Sequence, residues 1–252
     1  MRLSRRKLLL DSVKLAPAAS LLVPGTNALS FAQDIRPPAN KLKVVVTGGH
    51  PGDPECGCGG TIARYTDAGH QVVVLYLNRG EGYCGSNELK DCARIRTAEA
   101  EKACAILNAR AIFAGQVDGR AIVDPPHYDD FAKLLREQAP DVVFTHWPTD
   151  AHRDHRAMSA LVLDAWLASN KSFALYYYEV AEDTLRFSAT DFVDASAVAA
   201  RHRQACYAHA SQQPGKWFPL QMEMVRYHGL LNGCAQAEAF FRVSPQSRNM
   251  LP

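Results

Sequence analysis

Two short segments of the sequence combine histidine with aspartate at close spacing. The first contains His50 and Asp53, and the second contains five such residues within ten positions: His146, Asp150, His152, Asp154 and His155. Imidazole nitrogens and carboxylate oxygens are typical zinc ligands, and a catalytic zinc takes three protein ligands and leaves one position open for water. His50, Asp53 and one histidine of the second segment would supply that set.

Each of these residues has a plainer interpretation when it is taken alone. An aspartate such as Asp53 or Asp150 often caps the helix that follows, because its carboxylate accepts hydrogen bonds from free backbone N–H groups. Two clusters, each directly after a predicted buried strand, favour a shared metal site over two unrelated caps.

The elements that must position these segments alternate between strand and helix. Apolar β-branched runs predict buried strands, and apolar residues at helical spacing predict helices. We predict strands at 43–47, 71–77, 111–113, 141–145 and 173–178, and helices at 61–68, 94–107, 128–138, from the 146–155 loop to 168, and at 195–210. This order implies one α/β domain with a parallel sheet covered on both faces. Since ligands bind beyond the carboxyl ends of such strands, both His/Asp segments should face one crevice.

The segment 56–60, Cys-Gly-Cys-Gly-Gly, follows the first strand and is predicted to be a loop. A glycine-rich turn at this place suggests dinucleotide binding, but the required G-x-G-x-x-G spacing and following acid are not cleanly met. Asp53 and Glu55 would also repel a phosphate there. Because no second cysteine pair stands at zinc-finger spacing, the two cysteines are predicted to be buried packing residues.

Two separated motifs in this sequence resemble the PIG-L (LmbE-like) family of zinc-dependent N-deacetylases. They are His-Pro-Gly-Asp-Pro-Glu-Cys-Gly-Cys-Gly-Gly-Thr at 50–61 and His-Arg-Asp-His at 152–155. Weaker marks are Asn-Arg-Gly-Glu at 78–81, Arg96 with Glu99, Asp-Val-Val at 141–143, His-Ala-Ser-Gln at 209–212 and Ala-Glu-Ala-Phe at 237–240. The resemblance implies a Rossmann-like three-layer α/β sandwich with a mostly parallel sheet. It also implies hydrolysis of an N-acyl group, typically the N-acetyl group of an amino sugar.

The same resemblance implies roles for individual residues. Three of them match the family's ligands for one Zn²⁺ per chain: His50, Asp53 and His155. His152 matches the position that stabilises the oxyanion or protonates the leaving amine, and Asp154 is expected to hold that imidazole. Arg79 matches a loop arginine that contacts substrate, with an ordinary surface arginine as the alternative.

One position departs from the family motif. The family has two adjacent aspartates, of which the first is the general base, and Gly52 stands there in this chain. Loss of a positioned general base typically costs 10²–10⁴-fold in rate. The enzyme could use another base, with Asp150 the first candidate and Glu55 a further one, or work slowly without a base. It could also be a zinc-binding pseudoenzyme that holds acylated sugars without turnover, or a structural protein of the cell envelope.

The composition is that of an ordinary globular protein. The chain has 252 residues, is 47% hydrophobic and has a formal charge of +2. These values exclude a disordered chain and leave no basic footprint for nucleic acid. The charge is uneven, because residues 1–32 carry five basic side chains against one acidic, a net of +4, so that the rest carries −2.

Residues 1–32 have the order of an export signal. Arg5-Arg6, within Ser-Arg-Arg-x-Leu-Leu, precedes an apolar stretch and a small-residue cleavage site at Ala32, and resembles a twin-arginine signal. We predict export by the twin-arginine machinery to the periplasm or the medium, with 33–42 as an extended arm and 43–252 as the deacetylase domain. An uncleaved amphipathic helix is the alternative. Asp11 and Lys14 argue against a transmembrane anchor.

Export bears on the cysteines as well. In an oxidising compartment Cys84 and Cys92, eight residues apart, could form a disulfide, with free thiols as the alternative. The sequence does not identify the acylated amino-sugar substrate, and it is compatible with a homo-oligomer.

Overall fold

The computed structural model describes residues 41–84, 89–244 and 248–252. The predicted leader and all but the last two residues of the predicted arm lie outside the described residues. The strands are β1 (Lys43–Gly48), β2 (Gln71–Tyr76), β3 (Arg110–Phe113), β4 (Val142–His146), β5 (Ala174–Tyr178), β6 (Asp191–Asp194) and β7 (Ala237–Arg242). The helices are α1 (Asp53–Asp67), α2 (Leu89–Ile106), α3 (Pro125–Glu137), α4 (Arg153–Ala168), α5 (Ala199–Tyr207) and α6 (Pro214–Asn232).

The strands form one sheet in the order β3-β2-β1-β4-β5-β7-β6. The first five strands in sequence pair in parallel, and β7 runs antiparallel to both β5 and β6. The predicted α/β sandwich with a mostly parallel sheet is therefore confirmed. β6 and β7 were not predicted, because β6 is a four-residue strand with an aspartate at each end and lacks the apolar run that marks the others.

The core lies on both faces of the sheet, because successive side chains of a strand point to opposite sides. Val44 and Val46 pack on one face with residues of α1, α2 and α5, while Val45 packs on the other with residues of α3 and α4. Burial on both faces explains why the central strands read as nearly continuous apolar runs.

Helix α1 begins at Asp53, eight residues before the predicted start, so the predicted loop 56–60 is helical. Pro54 lies in the first turn, and the Glu55 side chain accepts a hydrogen bond from the Gly52 N–H at 3.1 Å. A Cβ at Gly57 would lie 2.4 Å from the Tyr178 ring on β5. This glycine therefore permits close packing of a helix on the sheet rather than a flexible loop.

The two His/Asp segments follow neighbouring strands. In the pairing of β1 with β4, Val46 lies opposite Phe144, and both strands end two residues later, at Gly48 and His146. Their carboxyl ends therefore meet at the same edge of the sheet, where the sequence predicts the site.

Cys84 and Cys92 form a disulfide, with an S–S distance of 2.01 Å. Cys56 and Cys58 are buried, as predicted, while Cys234 is half-buried. Within the part of the chain that the structure describes, no helix combines the length and apolar character needed to cross a membrane.

Candidate metal centre

One carboxylate oxygen lies between two imidazole rings at the carboxyl edge of β1 and β4. Asp53 Oδ2 is 3.2 Å from His50 Nδ1 and 3.0 Å from His155 Nε2. Asp53 opens α1 and His155 lies in the first turn of α4, whereas His50 lies in the turn between β1 and α1. The backbone N–H of His50 also donates to Asp53 Oδ2 at 2.8 Å. The structure thus brings together the three residues predicted as metal ligands.

The second nitrogen of each ring faces other carboxylates. His50 Nε2 lies 3.1 Å from Asp118 Oδ1 and 3.2 Å from Asp154 Oδ2, and His155 Nδ1 lies 3.0 Å from Asp150 Oδ1. A metal-binding histidine usually donates its outer N–H to a carboxylate or carbonyl, which fixes its tautomer and ring orientation. Both histidines have this arrangement, so their inner nitrogens are left to bind a cation.

The charges of the site also favour a cation. Burial lowers the pKa of both histidines, but the carboxylates outweigh it and raise the pKa of His155 to about 9 and that of His50 well above its usual value. Burial raises the pKa of Asp53, whereas the charge of His155 and hydrogen bonds from the surrounding imidazoles hold it well below its ordinary range. A divalent cation neutralises such a cluster, and two imidazoles with one carboxylate fit zinc.

His146 lies in the same cluster, with Nε2 3.4 Å from Asp53 Oδ2, and could hold a metal together with Asp53 and His155. Its Nε2 accepts the Gly49 N–H at 2.9 Å and lies 3.2 Å from the Tyr178 hydroxyl. Burial, with the charge of His155, lowers the pKa of His146 to about 4. Its ring stacks on His155 at a centroid distance of 3.9 Å, so it is a neutral support for that ligand.

His152 is fixed in one tautomer beside the ligands. The backbone N–H of Asp154 donates to His152 Nδ1 at 3.2 Å, so the neutral ring carries its proton on Nε2. Burial and the neighbouring imidazoles of His50 and His155 lower the pKa of His152, which favours this neutral form. The His152 ring centroid is 4.5 Å from that of His50 and 4.8 Å from that of His155. The residue therefore offers a hydrogen-bond donor next to the metal ligands.

The Asp154 carboxylate contacts His50, although sequence reasoning assigned it to His152. Besides His50 Nε2, its Oδ2 accepts hydrogen bonds from Asn78 Nδ2 at 3.0 Å and from the Gly119 N–H at 2.7 Å. The side chain therefore orients His50, a predicted metal ligand, and only the backbone of Asp154 fixes His152.

Asp150 is buried, with 3% of its surface exposed, and both of its oxygens are engaged. Oδ1 faces His155 Nδ1 and accepts the His152 N–H at 2.8 Å, while Oδ2 accepts the Thr184 hydroxyl at 3.1 Å. These contacts favour a role in positioning His155 over the predicted role as general base.

The two arginines of the family marks lie in different places. The exposed Arg79, the predicted substrate contact, stacks its guanidinium 4.3 Å above the Phe113 ring and donates to Thr97 Oγ1 at 2.8 Å. Arg96 is only 6% exposed and donates to the carbonyl oxygens of Pro51 and Gly80, each at 2.8 Å. Arg96 therefore links the loop of the metal ligands to the loop after β2.

A cavity of about 260 Å³ is lined by Asp53, one of the three predicted metal ligands. Its wall includes side chains that can bind or exchange protons with a substrate: Asp53, Arg96, Glu182, Asp183, His209 and Gln212. Arg96 is in this wall, whereas Arg79 is not among the residues that line it.

Comparison with known proteins agrees with this geometry. Residues 45–166 match the family described as PIG-L, GlcNAc-PI de-N-acetylase. The fold matches the conserved protein TT1542 of Thermus thermophilus with 30% sequence identity and a TM-score of 0.72, covering 82% of this chain and 100% of that chain. The chain belongs to the PIG-L family.

Two further proteins resemble this PIG-L family member. The diacetylchitobiose deacetylase of Thermococcus kodakarensis is 28% identical over 231 residues, covering 81% of this chain and 84% of the relative. The N,N'-diacetylchitobiose deacetylase of Pyrococcus horikoshii is 23% identical, with a TM-score of 0.72, over 82% of this chain and 88% of that chain, and shows the shared fold. The family resemblance of the motifs at 50–61 and 152–155 is thus confirmed.

Sequence reasoning about this PIG-L domain missed Asp118, which lies in the loop after β3 and contacts His50. The rule that ligands bind beyond the carboxyl ends of strands would have drawn attention to that loop. Asn78 and Arg96 were noticed only as family marks, because a hydrogen bond across 76 residues or a buried guanidinium has no signature in local spacing.

Gly52, at the position where the family resemblance led us to expect aspartate, is the N-cap of α1 with φ +112° and ψ −35°. L-residues rarely adopt this conformation, and holding one in such a region costs on the order of 1–3 kcal/mol. The backbone conformation at position 52 thus favours glycine over a residue with a side chain.

Proposed function

We propose that this protein is a zinc-dependent hydrolase that removes an N-acyl group, typically N-acetyl, from an amino-sugar-containing substrate. The observation that carries the proposal is the position of Asp53 Oδ2, within 3.2 Å of one nitrogen from each of His50 and His155, whose other nitrogens face carboxylates. The relative from Thermococcus is a diacetylchitobiose deacetylase, which supports an N-acetylated amino sugar as the substrate class.

His50, Asp53 and His155 would hold one zinc ion. Zinc bound there supplies a Lewis acid that polarises the amide carbonyl and lowers the pKa of water from 15.7 to about 7. Asp150 and the pair of Asp118 and Asp154 orient the two histidines by accepting from their outer nitrogens.

His152 serves the substrate directly in this proposal. Its Nε2–H donates to the oxygen that becomes negative when water adds to the amide carbonyl. Removal of one such donor typically costs about 3–4 kcal/mol of transition-state stabilisation. Arg96, in the cavity wall, binds the polar part of the substrate, and we assign no substrate contact to Arg79.

Metal content and acetate release test the proposal together. The purified protein, stripped with a chelator and reloaded with zinc, should bind one zinc per chain and release acetate from N-acetylglucosamine, its β-glycosides or diacetylchitobiose. The stripped protein is the matched control and should be inactive. Stoichiometric zinc with no acetate release from the whole panel would favour the alternative of a sugar-binding pseudoenzyme and reject the hydrolase.

We also propose that the protein is exported, with residues 1–32 as a cleaved twin-arginine signal. The Cys84–Cys92 disulfide supports this, since disulfides persist mainly in oxidising compartments. N-terminal sequencing of the fractionated native protein should find it outside the cytoplasm and beginning near Gln33. Replacement of Arg5-Arg6 by Lys-Lys should leave it in the cytoplasm, and normal export of that variant would reject the signal.

A further inference from the structure

The imidazole ring of His209 lies opposite Gly52. A Cβ built on Gly52 would lie 3.8 Å from Cγ and 3.9 Å from Cδ2 of His209, with no other group within 4 Å apart from its chain neighbours. His209 also belongs to the wall of the cavity that Gly52 and Asp53 line. The glycine therefore leaves His209 facing the ligand loop with no side chain from position 52 between them.

His209 is completely buried and is oriented by a buried carboxylate. Its Nε2 lies 3.3 Å from Glu55 Oε1, and Glu55 is itself fully buried. The Tyr76 hydroxyl donates to Glu55 Oε1, and the Gly52 N–H donates to Oε2 at 3.1 Å. A ring proton on Nε2 would point at this carboxylate and would leave the lone pair on Nδ1.

Neither nitrogen of the His209 ring has a hydrogen-bond partner among the described residues, although Nε2 lies close to Glu55 Oε1. A buried polar atom left without a partner costs roughly 1–3 kcal/mol, so the site gains stability when water or a substrate group binds to it. A histidine with a carboxylate beside one nitrogen and no partner on the other has the arrangement of a general base.

The other groups around the ligands are less suited to accept a proton. His152 Nδ1 and His146 Nε2 each accept a backbone N–H, and both oxygens of Asp150 are occupied. Asp183 and Glu182 remain as competitors, since both carboxylates line the cavity, and Asp183 also lies within 4.8 Å of a His155 nitrogen.

We infer that His209, oriented by Glu55, is the general base that takes the place of the side chain missing at Gly52. The inference rests on the proposed deacetylase function and names a further catalytic residue for it.

The proton and electron transfers balance as follows. His209 Nδ1 takes a proton from the attacking water as the water oxygen bonds to the amide carbonyl carbon, and the carbonyl π electrons move to its oxygen, which His152 stabilises. When the C–N bond breaks, its electron pair leaves with the nitrogen, which receives the proton from His209. The products are acetic acid, which ionises, and the free amine.

The variant His209→Gln tests the inference, with His202→Gln as the matched control. His202 is also a fully buried histidine, on α5, with a carboxylate oxygen of Glu238 at 3.5 Å, but it faces Gly59 rather than Gly52. In the zinc-loaded proteins we expect kcat/KM to fall by about 10²–10⁴-fold for His209→Gln, the usual cost of losing a general base, and to stay within about threefold for His202→Gln. Zinc stoichiometry and melting temperature should be unchanged in His209→Gln, and added imidazole should restore part of the activity of His209→Gly.

A readout independent of turnover is the ring tautomer. Nitrogen-15 NMR of histidine-labelled protein should show His209 protonated on Nε2 and unprotonated on Nδ1, and Glu55→Gln should change this pattern. A proton fixed on Nδ1 would overturn the inference, because that nitrogen could then accept none.

The remaining outcomes separate the inference from the proposed function. If the wild type releases acetate and His209→Gln keeps its rate, the inference is wrong and the deacetylase function stands. A large loss in Asp183→Asn but not in His209→Gln would assign the base to Asp183 and also overturn the inference. A zinc-loaded wild type without turnover would overturn both.

Discussion

Buried histidines meet buried carboxylates at several places in this molecule, and two of these regions differ in how the rings are shared. At the carboxyl edge of β1 and β4, His50, His146 and His155 each place a nitrogen within 3.4 Å of Asp53 Oδ2, and His50 and His155 have a further carboxylate on the outer nitrogen. Directly after the neighbouring strand β5, Glu179 pairs with His228, and no second carboxylate lies near the His228 ring among the described ion pairs.

The same residue types therefore serve two purposes. A single pair satisfies a buried imidazole and connects two elements, here the end of β5 and helix α6. Where several imidazole nitrogens converge on one carboxylate oxygen, charge is concentrated in a buried place. A purely structural ion pair does not do this, because burying charge without full compensation destabilises the fold. Convergence, rather than burial or residue type, marks the functional cluster.

The largest effect should follow from removing the shared oxygen. Asp53→Asn keeps the size of the side chain but removes the negative charge, and we expect loss of bound zinc and a fall in activity beyond the 10–100-fold typical of supporting residues. Glu179→Gln is the matched control and should retain one zinc per chain. Metal analysis after dialysis measures both, and a zinc-replete Asp53→Asn would contradict the ligand assignment.

Breaking the isolated pair should affect stability and leave metal binding intact. His228→Leu strands the Glu179 carboxylate in a buried position, which should lower the free energy of unfolding by about 3 kcal/mol. Urea denaturation of the zinc-free proteins measures the change. His70→Leu, in a more exposed place between α1 and β2, should change stability by less than 1 kcal/mol. Loss of zinc from His228→Leu would remove the distinction between the two regions.

The outer carboxylates provide a finer comparison. Asp150→Ala removes the acceptor for His155 Nδ1 and should weaken zinc affinity by about 10–100-fold. Asp164→Ala, a half-buried aspartate further along α4, should leave it unchanged. Competition with a chromogenic chelator gives the affinities. Full zinc affinity with a large fall in kcat would instead return Asp150 to the role of general base.

The smallest expected difference in kcat/KM is between variants of the two arginines. Arg96→Gln removes a buried guanidinium from the cavity wall and should lower kcat/KM about tenfold or more, since its hydrogen bonds to Pro51 and Gly80 also hold the site. Arg79→Gln should stay within about twofold. Steady-state kinetics on one N-acetylated substrate measure both variants. A larger loss of kcat/KM for Arg79→Gln than for Arg96→Gln would restore Arg79 as the substrate contact.

The sequence predicted the five parallel strands to within two residues, because each is a short apolar run buried on both faces. It placed the start of α1 too late, since the glycines at 57, 59 and 60 read locally as a loop. In the fold they allow the helix to approach Tyr178 and His202 closely. Such a contact joins residues more than a hundred positions apart and has no local signal.

The sequence also predicted part of the candidate site. Two His/Asp clusters after neighbouring strands predicted the convergence of His50, Asp53 and one histidine of the second segment, and the family resemblance identified that histidine as His155. The partners of their outer nitrogens were not predictable, because Asp118 and Asp154 reach His50 from separate loops.

Residue types and their spacing thus determined the fold class, the family and the candidate ligands, because periodicity and short motifs are properties of local sequence. Tertiary structure decided which carboxylate orients which imidazole, which arginine enters the cavity, and that His209 lies opposite Gly52. These relations depend on lone pairs and distances of about 3 Å between distant segments, and only the packed sheet and its helices bring those segments together.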